Sequence, residues 1–413
     1  MKINGQRLLS DLQALQRITA TPGRGVTRFS YTEEDGRARD YLARIVGEYG
    51  FQMETDSVGN IRICPPASKG TTIIGSHIDT VRNGGWLDGI YGVISGVEVL
   101  RTFADHGIHT DAAVMVYAEE EGSVFGSTMT GSKFLTGKYI AKDLLELKDE
   151  QGVTLQEHLK ACGYWNEETF ASTFPMDFTG VHRAVELHIE QGPVMDTENL
   201  QIGIVDTVFG MHVLQIEFVG LGNHAGASPM IGRRDCMCAF AEAALAIEQM
   251  AIDMGRGVVA TIGKISASPG GSNVIPDSVR FTVDIRSNDD RNTEEAVRRI
   301  RAASEEVAHA RRVECSIRDI ADSSAIPFSR DVIEEMTALA EECGVIYKVM
   351  DSGAVHDTAM LAPYTKAGMI FVPSIDGRSH VPEENTKEED LIRGAQFLMD
   401  YIVTAEQEND SKV

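Results

Sequence analysis

Residues 71–89 read TTIIGSHIDTVRNGGWLDG, an apolar run followed by one histidine, two aspartates and four glycines. The run 71–74 predicts a buried strand, because consecutive apolar residues are typical of strands covered on both faces. Side chains alternate along a strand, so His77 and Asp79 point the same way if the extended backbone continues. Such a pair can orient an imidazole for metal binding, and the glycines allow a turn that returns Asp88 to the same point. An isolated pair of this kind is more often a hydrogen-bonded loop pair, so a metal site needs further ligands.

Strands and helices alternate along the neighbouring sequence. Residues 32–50 predict an amphipathic helix capped by Thr32, and residues 51–66 predict a hairpin. A helix over 92–107 and a strand over 112–118 follow the strand described above. This alternation predicts an α/β layer with a mainly parallel central sheet, in which ligands bind at the carboxyl ends of the strands.

The pattern changes at residue 208. Residues 208–322 predict the order strand, helix, strand, strand, helix, strand, which is typical of a compact ferredoxin-like α+β unit. Its second helix has a candidate cap at Asn292. Because α/β character resumes afterwards, this unit is predicted to be inserted into a discontinuous first domain of residues 1–207 and 323–413. The length of 413 residues agrees with two domains.

Composition narrows the class of protein. The net charge of −24 argues against binding to nucleic acid or an anionic membrane, because phosphate contacts need basic surface. No stretch is apolar enough for a transmembrane helix, and the N-terminus lacks the apolar core of a signal peptide, which predicts a cytoplasmic protein. The six cysteines are scattered without a CxxC spacing, so we expect free thiols.

Further candidate ligands follow other predicted strands. Glu119, Glu120 and Glu121 come directly after strand 112–118, His188 ends another apolar segment, and His380 follows the strand over 368–374. Taken singly, an acidic run is usually a solvated loop and a histidine is usually structural. Together, these groups at strand ends of one α/β domain indicate a shared site.

The ligand types indicate the metal. Imidazole and carboxylate without thiolate suit zinc, manganese, cobalt or nickel, and five ligands exceed what one catalytic ion normally takes from protein. We therefore predict two divalent metal ions per subunit with one bridging carboxylate. Asp88 is the best candidate for the bridge. Glu120, which adjoins the candidate ligand Glu121, fits a general base acting on water.

A set of motifs between residues 75 and 384 carries a family resemblance. They are GSHIDTVRNGGWLDGIYGV, AEEEGSVF, VELHIEQG, GNHAGASPM, IGRRD, GGSNVIP, RFTVDIR, DSGAVHD and SHVPEE. In this order they resemble the dinuclear-metal amidohydrolase and peptidase family that includes aminoacylases and carboxypeptidase G. The closest resemblance is to its hydantoinase/carbamoylase branch, which contains N-carbamoyl-L-amino acid hydrolases and allantoate amidohydrolases.

The resemblance implies a role for each matching residue. The domain of residues 1–207 and 323–413 corresponds to a metallopeptidase-like catalytic domain, and 208–322 corresponds to a lid that also forms a homodimer. The implied metal ligands are His77, Asp88, Glu121, His188 and His380. The implied catalytic residues are Glu120 as base, Asp79 as the group that orients His77, and His224 facing the reacting group. The implied substrate-binding residues are Gln191, Met211, His224, Asn273, Arg286, Gly353, Ala354 and His356.

The sequence of the lid supports part of this assignment independently. Alternation in RFTVDIR places Arg286 on a polar face where it can bind a carboxylate, although an ion pair with Asp284 explains it equally well. His224 lies between glycines that allow close approach to a ligand, or it is a solvated loop residue. Met211 offers an adaptable apolar wall, or it packs beneath the lid strand.

The predicted activity is hydrolysis of the ureido C–N bond of N-carbamoyl-L-amino acids, giving the L-amino acid, carbon dioxide and ammonia. Met211 favours this substrate class, because allantoate amidohydrolases tend to carry glutamine there. Hydrolysis of allantoate or another ureido acid is the first alternative. An aminoacylase or dipeptidase, and a non-catalytic metal-dependent binding protein, are further alternatives.

Overall fold

A sheet of nine strands runs through the larger of two units in the computed structural model, which describes residues 1–172, 176–255 and 257–410. The larger unit comprises Met1–Asp206 and Pro327–Val413, and the smaller unit comprises Thr207–Ile326. The predicted insert, 208–322, falls within the smaller unit.

The elements are numbered in chain order. The strands are β1 (Gln52–Thr55), β2 (Ile61–Cys64), β3 (Thr72–His77), β4 (Ala112–Tyr117), β5 (Arg183–Ile189), β6 (Ile202–Val208), β7 (Gly210–Val219), β8 (Asn223–His224), β9 (Val258–Ser268), β10 (Val274–Ile275), β11 (Ser278–Ser287), β12 (Glu314–Ser323), β13 (Ile326–Pro327), β14 (Tyr347–Ser352) and β15 (Lys366–Val372). The helices are α1 (Gly5–Gln16), α2 (Glu33–Gly47), α3 (Ile90–Asp105), α4 (Thr130–Leu135), α5 (Ala141–Glu146), α6 (Leu155–Ala161), α7 (Glu167–Ser172), α8 (Val194–Glu198), α9 (Cys236–Met254), α10 (Asp290–Arg311), α11 (Arg330–Cys343), α12 (Asp357–Leu361) and α13 (Glu388–Asp410).

Four parallel strands in the order β4-β3-β5-β15 form the centre of the large sheet. Every residue of β3 and β4 is buried, as expected for strands covered on both faces. Helices α1, α3 and α13 pack together on the sheet, and their apolar side chains form the main core. Antiparallel strands β2 and β6 flank the parallel centre. The predicted α/β fold with a mainly parallel central sheet is confirmed.

Local predictions for the larger unit are mostly confirmed. Helix α2 begins after Thr32, whose side chain accepts a hydrogen bond from the main-chain N–H of Asp35. Strands β1 and β2 pair as the predicted antiparallel hairpin. All six cysteines are free. Among the described residues, no helix is long and apolar enough to cross a bilayer.

The smaller unit is an antiparallel sheet in the order β12-β7-β11-β9, with α9 and α10 packed over its apolar side chains. Phe281, Val283 and Ile285 of β11 are buried there, as alternation predicts. The predicted cap at Asn292 is wrong: α10 begins at Asp290, and the side chain of Asp289 accepts a hydrogen bond from the N–H of Arg291. The aspartate two residues before Arg291 can reach that N–H directly, which starts the helix earlier.

Candidate metal centre

The predicted ligands of the larger unit follow the carboxyl ends of its parallel strands. His77 is the last residue of β3, Glu120 and Glu121 follow β4, and His188 lies in β5. His380 lies in the loop after β15. Because β4, β3, β5 and β15 are neighbours and run in one direction, these four segments end at the same edge of the sheet.

Asp88 is the centre of this arrangement. Its Oδ1 lies 3.5 Å from Nε2 of His77 and 3.1 Å from Nε2 of His188. Its Oδ2 lies 3.0 Å from Nε2 of His380, which is 3.4 Å from Oε1 of Glu121. The ligand atoms of His77, Asp88 and His188 lie within 4.8 Å of one another, and so do those of Asp88, Glu121 and His380. The two oxygens of one carboxylate therefore face two separate sets of donors.

The two buried imidazoles are held through their Nδ1 atoms. Nδ1 of His77 lies 3.0 Å from the carbonyl oxygen of Asp79, and Nδ1 of His188 lies 2.8 Å from that of Ile189. Nε2 of His188 accepts a hydrogen bond from the N–H of Gly89. With Nδ1 held by a carbonyl oxygen, each imidazole turns its Nε2 toward Asp88, and Nε2 is therefore the nitrogen that would bind a metal.

Asp79 contacts His77 through its main-chain carbonyl, whereas the sequence predicts a contact through its carboxylate. Its carboxylate oxygen is 3.7 Å from Nδ1 of His77, beyond hydrogen-bond distance. The strand ends at His77, so the chain turns and brings the carbonyl of Asp79, rather than its side chain, to the imidazole. The carboxylate instead accepts hydrogen bonds from the N–H groups of Glu120 (3.3 Å) and Glu121 (3.1 Å). Asp79 thus fixes the acidic segment as well as the histidine.

The carboxylates of the site are crowded and buried. Burial raises the pKa of Glu120 well above its ordinary value, and the charges of Asp357 and Glu121 act in the same direction. Burial, with Asp88 nearby, raises the pKa of Glu121 to about 8. Burial alone would raise the pKa of Asp88, but hydrogen bonds from three imidazoles hold it well below its usual value. The hydrogen bond to Asp88 in turn raises the pKa of His380 to about 9.

These features fit divalent cations. Oε1 of Glu121 is buried and has no hydrogen-bond partner among the described residues. Imidazole and carboxylate donors without thiolate match zinc and the neighbouring first-row ions. Positive charge between the two donor sets would also relieve the repulsion among the carboxylates. The residues that the sequence singles out therefore provide candidate metal-ligand groups.

Gly89 makes room for His77, which leads to a prediction. Gly89 has φ +67°, and a Cβ there would lie 2.4 Å from Cε1 of His77. Gly107 has φ +65° with no atom within 4 Å of its Cβ position, so it is a matched control for backbone strain alone. We expect Gly107→Ala to lower the free energy of unfolding by about 1–2 kcal/mol, and Gly89→Ala to lower it by more, because its Cβ also meets the buried imidazole of His77. Only Gly89→Ala should lose metal affinity, by about tenfold or more. Equal metal content in both variants, measured by elemental analysis, would contradict this role of Gly89.

Two other predicted substrate residues of the larger unit, Gln191 and His356, contact this centre. The side-chain amide of Gln191 donates to Oδ2 of Asp88 at 2.9 Å. Gly353 is exposed and Ala354 is partly buried in the loop after β14. His356 is buried, packs edge-on against the ring of His188 and hydrogen-bonds to Ser352, so it supports the site from behind. Its predicted contact with substrate stays a prediction.

The smaller unit brings its predicted residues together in two pairs. His224 of β8 pairs with Val274 of β10, next to Asn273, and both predicted residues are exposed. Met211 of β7 is the direct partner of Arg286 on β11.

Arg286 is held by a neighbour on its own strand. Its guanidinium bonds both carboxylate oxygens of Asp284, at 2.9 and 3.2 Å. The ion pair that sequence reasoning left open is therefore present, and the guanidinium is held on the polar face of the sheet.

Several residues of the site have no sequence-based prediction. Glu384 is buried between the loops of Asp88 and His380. Glu186 is buried behind His188, where it accepts hydrogen bonds from Ser76 and from the N–H of Thr358. The sequence feature that could have identified Glu384 is its position four residues after His380 in the motif SHVPEE. Nothing in the local pattern distinguishes Glu186 from a solvated acid.

The comparisons with known proteins agree with this geometry. The model of peptidase family M20/M25/M40 matches residues 73–404. The N-carbamoyl-L-amino acid amidohydrolase of Geobacillus stearothermophilus is 35% identical over 403 residues, with 96% of this chain and 97% of the relative covered. The allantoate amidohydrolase of Escherichia coli is 32% identical over 406 residues, with 95% and 96% covered.

A solved structure extends the similarity to the fold. An amidase of the hydantoinase/carbamoylase family from Burkholderia multivorans superposes with a TM-score of 0.89 at 33% identity, covering 98% of each chain. The chain therefore belongs to peptidase family M20/M25/M40, in the hydantoinase/carbamoylase branch, and is an enzyme of the amidohydrolase type.

Proposed function

We propose that the chain hydrolyses the ureido C–N bond of N-carbamoyl-L-amino acids to the L-amino acid, carbon dioxide and ammonia. The observation that carries this proposal is the carboxylate of Asp88, whose two oxygens face the histidine pair of β3 and β5 on one side and Glu121 with His380 on the other. The names of relatives that match almost the whole chain support ureido chemistry.

Two divalent ions would be held in these two donor sets. His77 and His188 would bind one ion, Glu121 and His380 the other, and Asp88 both. The ions would lower the pKa of bound water and polarise the ureido carbonyl, which supplies several kcal/mol of catalysis in such sites. Zinc, manganese, cobalt and nickel all suit these two donor sets, because all four accept imidazole and carboxylate.

Glu120 would act as the general base. Its side chain is buried, and its Oε2 lies 3.8 Å from Nε2 of His77, so it adjoins the donor groups without belonging to either three-residue set. It would accept a proton from the attacking water and return that proton to the leaving nitrogen. The water oxygen bonds to the ureido carbon as the C–N bond to ammonia breaks. The carbamate that remains would lose carbon dioxide and leave the amine of the amino acid.

Residues of the smaller unit would bind the rest of the substrate. The guanidinium of Arg286 suits a bidentate contact with the substrate carboxylate. The substrate would then replace Asp284 as the partner of Arg286. Asn273 would hydrogen-bond to the same carboxylate, and His224 would donate a hydrogen bond to the developing oxyanion. A homodimer through this lid domain and a cytoplasmic location belong to the same proposal. Strands β9 and β12 lie at the edges of the lid sheet, where a second subunit can pair.

The choice of substrate is tested by comparing two ureido acids. We expect faster release of ammonia from N-carbamoyl-L-methionine than from allantoate, measured on metal-stripped protein reloaded with manganese or cobalt. Met211 is apolar and partly buried beside Arg286, which suits an amino-acid side chain better than a second ureido group. Met211→Gln should shift the ratio of the two kcat/KM values toward allantoate by about tenfold or more.

Faster turnover of allantoate by the unaltered enzyme would reject the carbamoyl amino acid and favour the alternative, for which the E. coli relative is the specific support. Turnover of N-acetyl amino acids or dipeptides alone would indicate an aminoacylase or dipeptidase. Binding of these compounds without any turnover would indicate a non-catalytic metal-dependent binding protein.

A further inference from the structure

A buried carboxylate connects the two loops that carry Asp88 and His380. Oε1 of Glu384 accepts hydrogen bonds from the main-chain N–H groups of Leu87 (3.0 Å) and Asp88 (3.1 Å). Its Oε2 accepts hydrogen bonds from the hydroxyl of Ser379 (2.8 Å) and the N–H of His380 (3.3 Å). Glu384 is 1% exposed. One side chain thus joins two loops that are far apart in the sequence.

The backbone around Glu384 is adapted to this contact. A Cβ at Gly85 would lie 1.9 Å from the carboxyl carbon of Glu384, so the loop before Asp88 can approach only without a side chain there. His380 has φ +58°, a left-handed conformation that is uncommon for residues other than glycine. The N–H of His380 is one of the four donors to Glu384.

The chemistry of the contact requires a carboxylate. All four partners of Glu384 are donors, and an ionised carboxylate has only acceptor sites. A glutamine of the same shape would turn an amide N–H₂ toward two of these donors. Glu384 also lies close to the like charge of Asp88, an unfavourable arrangement for a group that serves only to connect two loops.

We propose that Glu384 is a positioning residue that sets the spacing between Asp88 and His380 for one ion of the pair. Ser379 extends the link, because its hydroxyl lies 3.3 Å from Oδ2 of Asp88, the oxygen that faces His380. Among the described residues no hydrogen bond joins Glu384 to a candidate ligand atom, and it acts through main-chain N–H groups of both loops and the hydroxyl of Ser379. This inference rests on the ligand set of the proposed function.

Metal binding measured without turnover tests the inference. Metal-free protein is dialysed against a series of buffered free Mn²⁺ concentrations, and bound metal is counted by elemental analysis. We expect Glu384→Gln to lower the affinity for the ion between Asp88, Glu121 and His380 by about 10- to 100-fold. The affinity for the other ion should be unchanged. The isotherm should therefore resemble that of His380→Ala and differ from that of His188→Ala. A purely structural residue would lower thermal stability without this selective loss.

Two further variants keep the test decisive. In Gly85→Ala the new Cβ would push the Glu384 carboxylate away from the loop that carries Asp88. This variant should therefore also weaken the ion site of Asp88, Glu121 and His380 selectively, and it provides a test even if Glu384→Gln does not fold. Glu383→Gln is the matched control, because Glu383 is exposed and pairs with Arg378, and it should bind both ions as the unaltered protein does.

Unchanged affinity for both ions, or equal weakening of both, in Glu384→Gln or Gly85→Ala would overturn the inference. Two bound ions without turnover of any ureido acid would reject the proposed function while these affinities still decide the role of Glu384. Fewer than two ions in the unaltered protein would reject both proposals.

Discussion

Replacing Glu120 with glutamine should lower kcat by about 10²- to 10⁴-fold, the usual contribution of a general base. The amide has the same shape as the carboxylate but cannot accept the proton of the attacking water. Because Glu120 is outside both sets of candidate ligand atoms, Glu120→Gln should still bind two ions and should bind substrate with an unchanged Kd. Steady-state kinetics, elemental analysis and calorimetric titration of substrate together check these expectations.

The neighbouring glutamate, Glu121, provides a matched comparison for Glu120. Glu121 lies in the donor set with Asp88 and His380, so Glu121→Gln should lose metal, whereas Glu120→Gln should keep it. Both side chains are carboxylates on one segment held by Asp79, which makes the pair well matched. Turnover by Glu120→Gln at the rate of the unaltered enzyme would refute its role as base. Loss of metal from Glu120→Gln would instead make it a ligand.

The parallel sheet was predictable because its strands are buried on both faces. Continuous apolar runs such as 71–74 and 112–118 are typical of such strands, and in a parallel sheet the residues that follow them meet at one edge. From the sequence alone, this single rule brings His77, Glu121 and His188 together. This rule does not predict helices α4 to α7, which lie between β4 and β5 in the chain. These short helices have weak sequence periodicity and pack in a small separate cluster.

The errors within the site have a common physical cause. Sequence alternation describes the direction of side chains on an extended chain, but it does not describe where the strand ends. Asp79 lies just beyond that end, so its carbonyl rather than its carboxylate hydrogen-bonds to His77, and the carboxylate accepts from Glu120 and Glu121 instead. Glu384 was missed for a related reason, since its four donors are mostly main-chain groups of loops whose approach depends on a glycine at position 85. Backbone contacts between distant loops leave little trace in one sequence.

Replacing Asp88 with asparagine should reduce bound metal from two ions to at most one. An amide has one acceptor oxygen, so it can serve either His77 and His188 or Glu121 and His380, but not both sets. Asp88→Ala, which has no acceptor, should retain neither ion at a free Mn²⁺ concentration that saturates the unaltered protein.

Turnover of both Asp88 variants should fall by about 10³-fold or more, because the ions supply several kcal/mol of transition-state stabilisation. Asp40→Asn is a suitable control, since Asp40 is an exposed aspartate on α2, and it should bind and turn over normally. Two ions retained by Asp88→Asn would show that each ion is held without a shared carboxylate. Glu121 and His380 on one side, and His77 and His188 on the other, would then act as independent sites, and the closeness of both sets to one aspartate would have no catalytic meaning.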